Sequence, residues 1–126
     1  MSAITGPTVL IIDDSPMIRK LVRMALGCEG FTVVEAEGGH SALDLVSERA
    51  PDLVLQDMIL PDISGTDLVR RLRAVPACAK IPILALSGFA SMLSVAENRL
   101  LGFTDVLSKP IEPSRLVATV RAHLSL

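Results

Sequence analysis

Short apolar runs recur along this chain, each stopping at a polar residue before a stretch whose apolar positions repeat every three or four residues. Thr8-Val9-Leu10-Ile11-Ile12 ends at Asp13-Asp14, Leu53-Val54-Leu55-Gln56 at Asp57, and Ile83-Leu84-Ala85-Leu86 at Ser87. Asp105-Val106-Leu107 leads through Ser108 into Lys109-Pro110, and Phe31-Thr32-Val33-Val34-Glu35 is a fifth run. Continuous aliphatic runs of this length are what parallel strands show when helices cover both faces.

Between the runs the period becomes helical. Ser15 can cap a helix that Pro16 opens, with Ile18, Leu21, Val22, Ala25 and Leu26 on one face and Gly30 as its stop. Gly38-Gly39 leads to a helix carrying Ala42, Leu43, Leu45 and Val46, ended by Ala50-Pro51. Leu60 to Gly65 reads as a loop in which Gly65 is expected to take a backbone shape other residues resist. A helix from Thr66 to about Val75 would bury Leu68, Val69 and Leu72. Ile81-Pro82 introduces the fourth strand, Ser91 to Leu101 reads as a helix closed by Gly102, and Pro113 to Leu124 as the last helix. In that helix Leu116, Val117 and Val120 should point inward, and Arg115 and Arg121 outward. Five strands alternating with five helices predict an α/β, three-layer (βα)5 doubly wound parallel sheet with right-handed crossovers. One domain over 1–126, with a core over 8–124, accounts for the whole pattern.

Composition narrows the functional classes. A chain of 126 residues buries roughly two thirds of its unfolded surface, enough for a real core. Half of it is apolar but only Phe31, Phe89 and Phe103 are aromatic, so the core is aliphatic. A formal charge of −2 offers no overall attraction for nucleic acid or an anionic membrane, so no direct nucleic-acid partner is expected. Cys28 and Cys78 match no metal-ligand spacing and read as two buried small apolar residues rather than a disulfide, in a reducing compartment. With neither a leader-like segment nor an apolar run of roughly 20 residues, the expectation is a cytoplasmic chain with no membrane partner.

In an open parallel sheet, ligands bind at the carboxyl ends of the strands. The residues found there are Ile-Ile-Asp13-Asp14-Ser, Leu-Gln-Asp57-Met-Ile-Leu-Pro61-Asp62-Ile-Ser-Gly65, Leu-Ser87-Gly88 and Lys109-Pro110. Taken in this order, each after its own strand, they resemble the receiver domain of bacterial two-component response regulators, the family of the single-domain chemotaxis regulator. The resemblance runs from Val9 to Leu124. It implies the flavodoxin-like strand order 2-1-3-4-5.

It further implies that Asp57 is the phosphoacceptor, attacking the phosphoryl group of a phosphohistidine on a histidine kinase or histidine phosphotransfer protein. Two like charges about 4 Å apart cost roughly 4 kcal/mol at an effective dielectric near 20, so clustered carboxylates call for a counter-ion. By resemblance that ion is Mg2+, with Mn2+ a substitute, held by Asp14, Asp57 and the main-chain carbonyl of Ile59, with Asp13 acting largely through water. Lys109 would set an ammonium against the phosphoryl oxygens, and the Lys109–Pro110 peptide would be cis. Ser87 matches the switch hydroxyl that turns toward the new phosphoryl group. Val106 stands where the family often carries an aromatic switch residue, so output is expected through loop and helix shifts around Ser87 to Leu101. The downstream partner would be a protein target or effector domain, and the chain would be no enzyme beyond its own phosphorylation and dephosphorylation.

Plainer readings stand beside these. Asp13-Asp14 could be a helix-capping pair, Asp62 and Asp67 turn and capping residues, and His40 and His123 surface residues. Met92, Leu93, Val95, Ala96, Leu100 and Leu101 cover more of their helix than one core stripe needs; the helix is either broadly buried or a partner surface, including for a homodimer. An aspartyl phosphatase would want a second acid two residues after the nucleophile, where Ile59 stands. A flavodoxin-like cofactor binder would want a phosphate-cradling loop where Asp13-Asp14 stands. A degenerate receiver acting as a constitutive interaction module is the remaining alternative.

The family places residues that orient an attacking water two positions after the acceptor and two after the hydroxyl, here Ile59 and Phe89. Both are apolar, so the acyl phosphate is expected to decay slowly. Phosphoprotein decay should be faster in an Ile59→Asn, Phe89→Glu variant, and equal decay rates would refute the expectation.

Overall fold

The computed structural model describes residues 6–88 and 95–126, without the side chain of Val95. Expectations that rest on Phe89, Met92, Leu93 and the Val95 side chain lie outside the described residues. The elements are β1 (Thr8–Ile12), α1 (Pro16–Gly27), β2 (Thr32–Ala36), α2 (Gly39–Glu48), β3 (Leu53–Asp57), α3 (Gly65–Ala74), a 3-10 turn (Pro76–Cys78), β4 (Ile83–Ser87), α4 (Val95–Leu101), β5 (Asp105–Ser108) and α5 (Pro113–His123). The strands form one parallel sheet in the order β2-β1-β3-β4-β5, as expected.

Alternation along each strand divides the core into two layers. Val9, Ile11, Leu53, Leu55, Leu84, Leu86 and Leu107 face one layer with Val22 and Leu26 of α1 and Leu116 and Val120 of α5. Leu10, Ile12, Val54, Ile83 and Ala85 face the other with Ala42, Val46, Leu68, Val69 and Leu72 of α2 and α3. Strands buried on both faces therefore read as unbroken apolar runs, which is why their positions were legible.

Helix starts are fixed locally. Ser15 Oγ accepts from the Ile18 N–H at 3.3 Å with Pro16 in the first turn, and Ser64 Oγ accepts from the Asp67 N–H at 3.2 Å. For α2 the cap comes from elsewhere in the chain: the Asp62 carboxylate accepts from the N–H groups of Gly39 and His40, each at 2.9 Å. Those two bonds hold the Asp62 pKa below the ordinary carboxylate value, and they tie the loop after β3 to the start of α2.

Several expectations are corrected. Gly65 has no positive φ; the positive-φ glycines are Gly30 and Gly102. Glycine is required at 65 by close approach, because a Cβ there would lie 2.6 Å from the Met58 carbonyl oxygen. His123, expected at the surface, is half-buried and paired: its Nε2 lies 2.9 Å from Asp105 Oδ2, joining the end of α5 to the start of β5. Burial raises the Asp105 carboxyl, but the His123 hydrogen bond and the Val106 N–H outweigh it and leave its pKa lowered. On α4, Leu100 is 88% exposed and Asn98 is buried, so the described part of that helix is not broadly apolar-buried. Cys78 is buried as expected but Cys28 is exposed, and neither forms a disulfide. Among the described residues, no helix is long and apolar enough to cross a membrane.

Candidate functional site

Because all five strands run the same way, their carboxyl ends share one edge, and the register places the polar residues there. Asp13 follows β1 directly and is still held by the sheet, its N–H donating to Ala36 O at 3.1 Å. Asp57 and Ser87 are the last residues of β3 and β4. Lys109 follows β5, its N–H donating to Ser87 O at 2.7 Å, and the Lys109–Pro110 peptide is cis, as the resemblance implied.

Lys109 Nζ lies 2.9 Å from Asp13 Oδ2 and 3.3 Å from Asp57 Oδ1, bridging residues far apart in sequence. Asp13 is fully buried, Asp57 is 8% exposed, and Asp14 stands open to solvent. One carboxylate oxygen from each of Asp13, Asp14 and Asp57 lies within 4.8 Å of the others. Asp13 Oδ1 also accepts from the Ser15 N–H at 2.9 Å, so it braces the residue that caps α1, while the cap itself is Ser15.

Burial, and then the neighbouring Asp13 charge, push the Asp57 pKa above the ordinary carboxylate value against the pull of Lys109. Burial draws the Lys109 ammonium down, but the hydrogen bond and charge of Asp13, joined by the charge of Asp57, outweigh it. Its pKa ends above the ordinary lysine value, so the cation is firmly held.

The donor set suits a small hard cation. Octahedral Mg2+ has ligands at about 2.0–2.1 Å, which puts adjacent oxygens roughly 3 Å and opposite ones roughly 4 Å apart, so the three oxygens within 4.8 Å of one another would close in around a direct ion, or one of them would bind it through water. The exposed side at Asp14 leaves room for water and phosphate oxygens. Ile59 donates its N–H to Asp57 Oδ1 at 3.4 Å, so its main chain sits beside the acceptor while its side chain is 71% exposed. Ser87 Oγ donates to Gly88 O at 3.3 Å from a half-buried position. Val106 pairs in register with Ala85 and packs against the second core layer.

Two contributors were missed by the sequence reading. The Arg19 guanidinium donates to Asp13 O at 2.8 Å and meets Glu35 at 3.3 Å, with Arg23 also on Glu35 at 2.6 Å. This brace between α1 and β2 holds the main chain of the first acid. The second is Gln56, buried immediately before Asp57 and donating to Gly65 O at 2.8 Å; its polar character within a covered strand was the one visible hint.

The model of the response regulator receiver domain family matches residues 9–121. Among curated proteins, the chain is 36% identical over 119 residues to the phosphate regulon transcriptional regulatory protein PhoB of Pseudomonas aeruginosa, covering 94% of this chain and 52% of that one. It is 32% identical over 117 residues to the polar-differentiation response regulator DivK of Brucella anthropi, covering 93% and 95%. The chain thus spans about half the length of PhoB and nearly all of DivK. Among solved structures, chemotaxis protein CheY4 of Vibrio cholerae aligns with a TM-score of 0.88 at 29% identity, covering 94% of this chain and 99% of that one. The receiver domain of NtrX from Brucella abortus aligns at 0.85 and 28%, covering 93% and 98%.

The raised Asp57 pKa carries a sign for stability. The native state holds this proton more tightly than the unfolded chain does, so the contribution of Asp57 to stability falls as pH rises from the ordinary carboxylate value through its native pKa. Metal-free Asp57→Asn should therefore be at least as stable as wild type at neutral pH, the gap narrowing as pH falls through that window. Urea unfolding across pH measures this, and an Asp57→Asn protein that is less stable at neutral pH contradicts it.

Proposed function

Since this chain belongs to the family of response regulator receiver domains, we propose that it is a phosphorylation-driven switch with Asp57 as phosphoacceptor. The observation that carries this reading is the Lys109 ammonium bridging Asp13 and Asp57 beside Asp14 at the carboxyl edge of the sheet. Phosphorylation and magnesium binding are general features of the family, whose members interact with histidine kinases and downstream effectors.

In this reading the ionised Asp57 carboxylate attacks the phosphorus of a phosphohistidine on a histidine kinase or phosphotransfer protein. An aspartyl O–P bond forms, the N–P bond breaks, and its electron pair returns to the imidazole. Lys109, 3.3 Å from Asp57 Oδ1, stands where its charge would offset the phosphoryl oxygens without proton transfer. Asp13, Asp14, Asp57 and the Ile59 carbonyl would hold Mg2+, or Mn2+ in its place; when bound, the cation supplies positive charge that offsets carboxylates and phosphoryl oxygens alike. Ser15 and Arg19 keep Asp13 oriented from its side chain and its carbonyl respectively.

The read-out would begin at Ser87, whose hydroxyl can turn from Gly88 O toward three new acceptor oxygens. Lys109 N–H donates to Ser87 O, so a shift at the end of β4 would be passed to the loop before α5. Val106 has no ring to reorient, which leaves movement of the β4-to-α5 face as the means of changing partner binding. The chain would turn over no separate substrate, and its partners would be met in the cytoplasm.

Incubation with acetyl phosphate and Mg2+, followed by intact-mass analysis, tests the reading. Wild type should gain one phosphoryl group, Asp57→Asn and chelated wild type none, and Lys109→Met should react about 100-fold more slowly. An adduct that persists in Asp57→Asn, or a wild type that gains none, overturns it; the latter result would favour a constitutive interaction module.

A further inference from the structure

Gln56 is fully buried on the layer shared with α2 and α3, between its register partners Ile12 and Ala85. Its Nε2 donates to Gly65 O at 2.8 Å, while its Oε1 has no hydrogen-bond partner among the described residues. The amide cannot be reversed, because the Gly65 carbonyl only accepts and must face the nitrogen. A desolvated carboxamide with one unmet acceptor carries a cost that an apolar side chain of similar shape would remove, offset only by the loss of its single bond to Gly65 O. Fold stability therefore does not explain a glutamine here.

Position does. The segment 58–64 leaves β3 after Asp57 and returns at Gly65 so tightly that a Cβ on Gly65 would lie 2.6 Å from Met58 O. The Gln56 amide closes the base of that ring, fastening the first residue of α3 to the strand that carries the phosphoacceptor. On the ring, the Ile59 N–H meets Asp57 Oδ1 at 3.4 Å, and Asp62 is fastened to the start of α2. The ring is thus held at its base and its far side, with the Ile59 main chain suspended beside Asp57.

We infer that Gln56 is a positioning residue: by holding Gly65 O to β3 it sets the Ile59 main chain against Asp57 and thereby sets the affinity of the acidic cluster for a divalent cation. This rests on the proposed function, since it takes Ile59 as a cation ligand. Groups that orient ligands from behind change metal affinity by about 10-fold or more when removed. Their loss need not lower fold stability, and here removal of the unmet acceptor works the other way.

Isothermal titration with MgCl2 and metal-free urea unfolding on wild type, Gln56→Leu and Gln56→Met separate these effects. The expected result is a Mg2+ dissociation constant raised about 10-fold in both variants, with the unfolding midpoint unchanged or higher. An unchanged dissociation constant in either folded variant overturns the inference. Loss of affinity together with loss of stability, or failure of both variants to fold, also overturns it by making the role structural. A wild type that binds no Mg2+ overturns the proposed function and this inference with it.

Discussion

The site depends on one half-buried ammonium shared by two carboxylates. Lys109 Nζ stands 2.9 Å from Asp13 and 3.3 Å from Asp57, where its charge works against the burial that raises the Asp57 pKa. The lysine reaches them because β5 and β1 lie on opposite sides of β3 and β4 in a parallel sheet, all ending at the same edge. Strand order is therefore part of the electrostatics: an antiparallel neighbour would carry its terminal polar residue to the other edge.

This arrangement is under-compensated by design of its residue types. Asp57 remains above the ordinary carboxylate pKa even with Lys109 beside it, while Lys109 is itself held above its ordinary value. The cluster lacks positive charge, and the proposed function supplies it as a divalent cation before a dianionic phosphoryl group arrives. Around the cluster, rigidity is supplied through the main chain: Arg19 on Asp13 O, Lys109 N–H on Ser87 O, Asp62 on the start of α2, and Gln56 on Gly65 O.

Much of this was legible without coordinates, and the reasons are physical. Strands covered on both faces must be continuously apolar, so β1, β3 and β4 stood out, and each run pointed at the residue that ends it. The order β2-β1-β3-β4-β5 was available only through family resemblance, because periodicity says what a strand buries and nothing about its neighbour. Long-range partnerships were invisible for the same reason. Asp62 capping a helix that begins over twenty residues earlier, Arg19 bracing a carbonyl, and His123 closing on Asp105 depend on the fold being complete. Gly65 shows a subtler gap: a loop glycine suggests unusual dihedrals, whereas this one is demanded by the approach of Met58. On α4 an apolar count could not tell that Leu100 points out while Asn98 points in.

The central claim is that Asp13, Asp14 and Asp57 form an incompletely neutralised cation site. Thermal unfolding of wild type and Asp14→Ala with increasing MgCl2 at constant ionic strength tests it most directly. A cation bound only by the native state raises stability by about 2.7 kcal/mol at 100 times its dissociation constant, worth roughly 10 °C for a chain of this size. Wild type should show such a rise and Asp14→Ala little or none; no Mg2+-specific rise, or an equal rise in both proteins, would contradict a cation site at these acids.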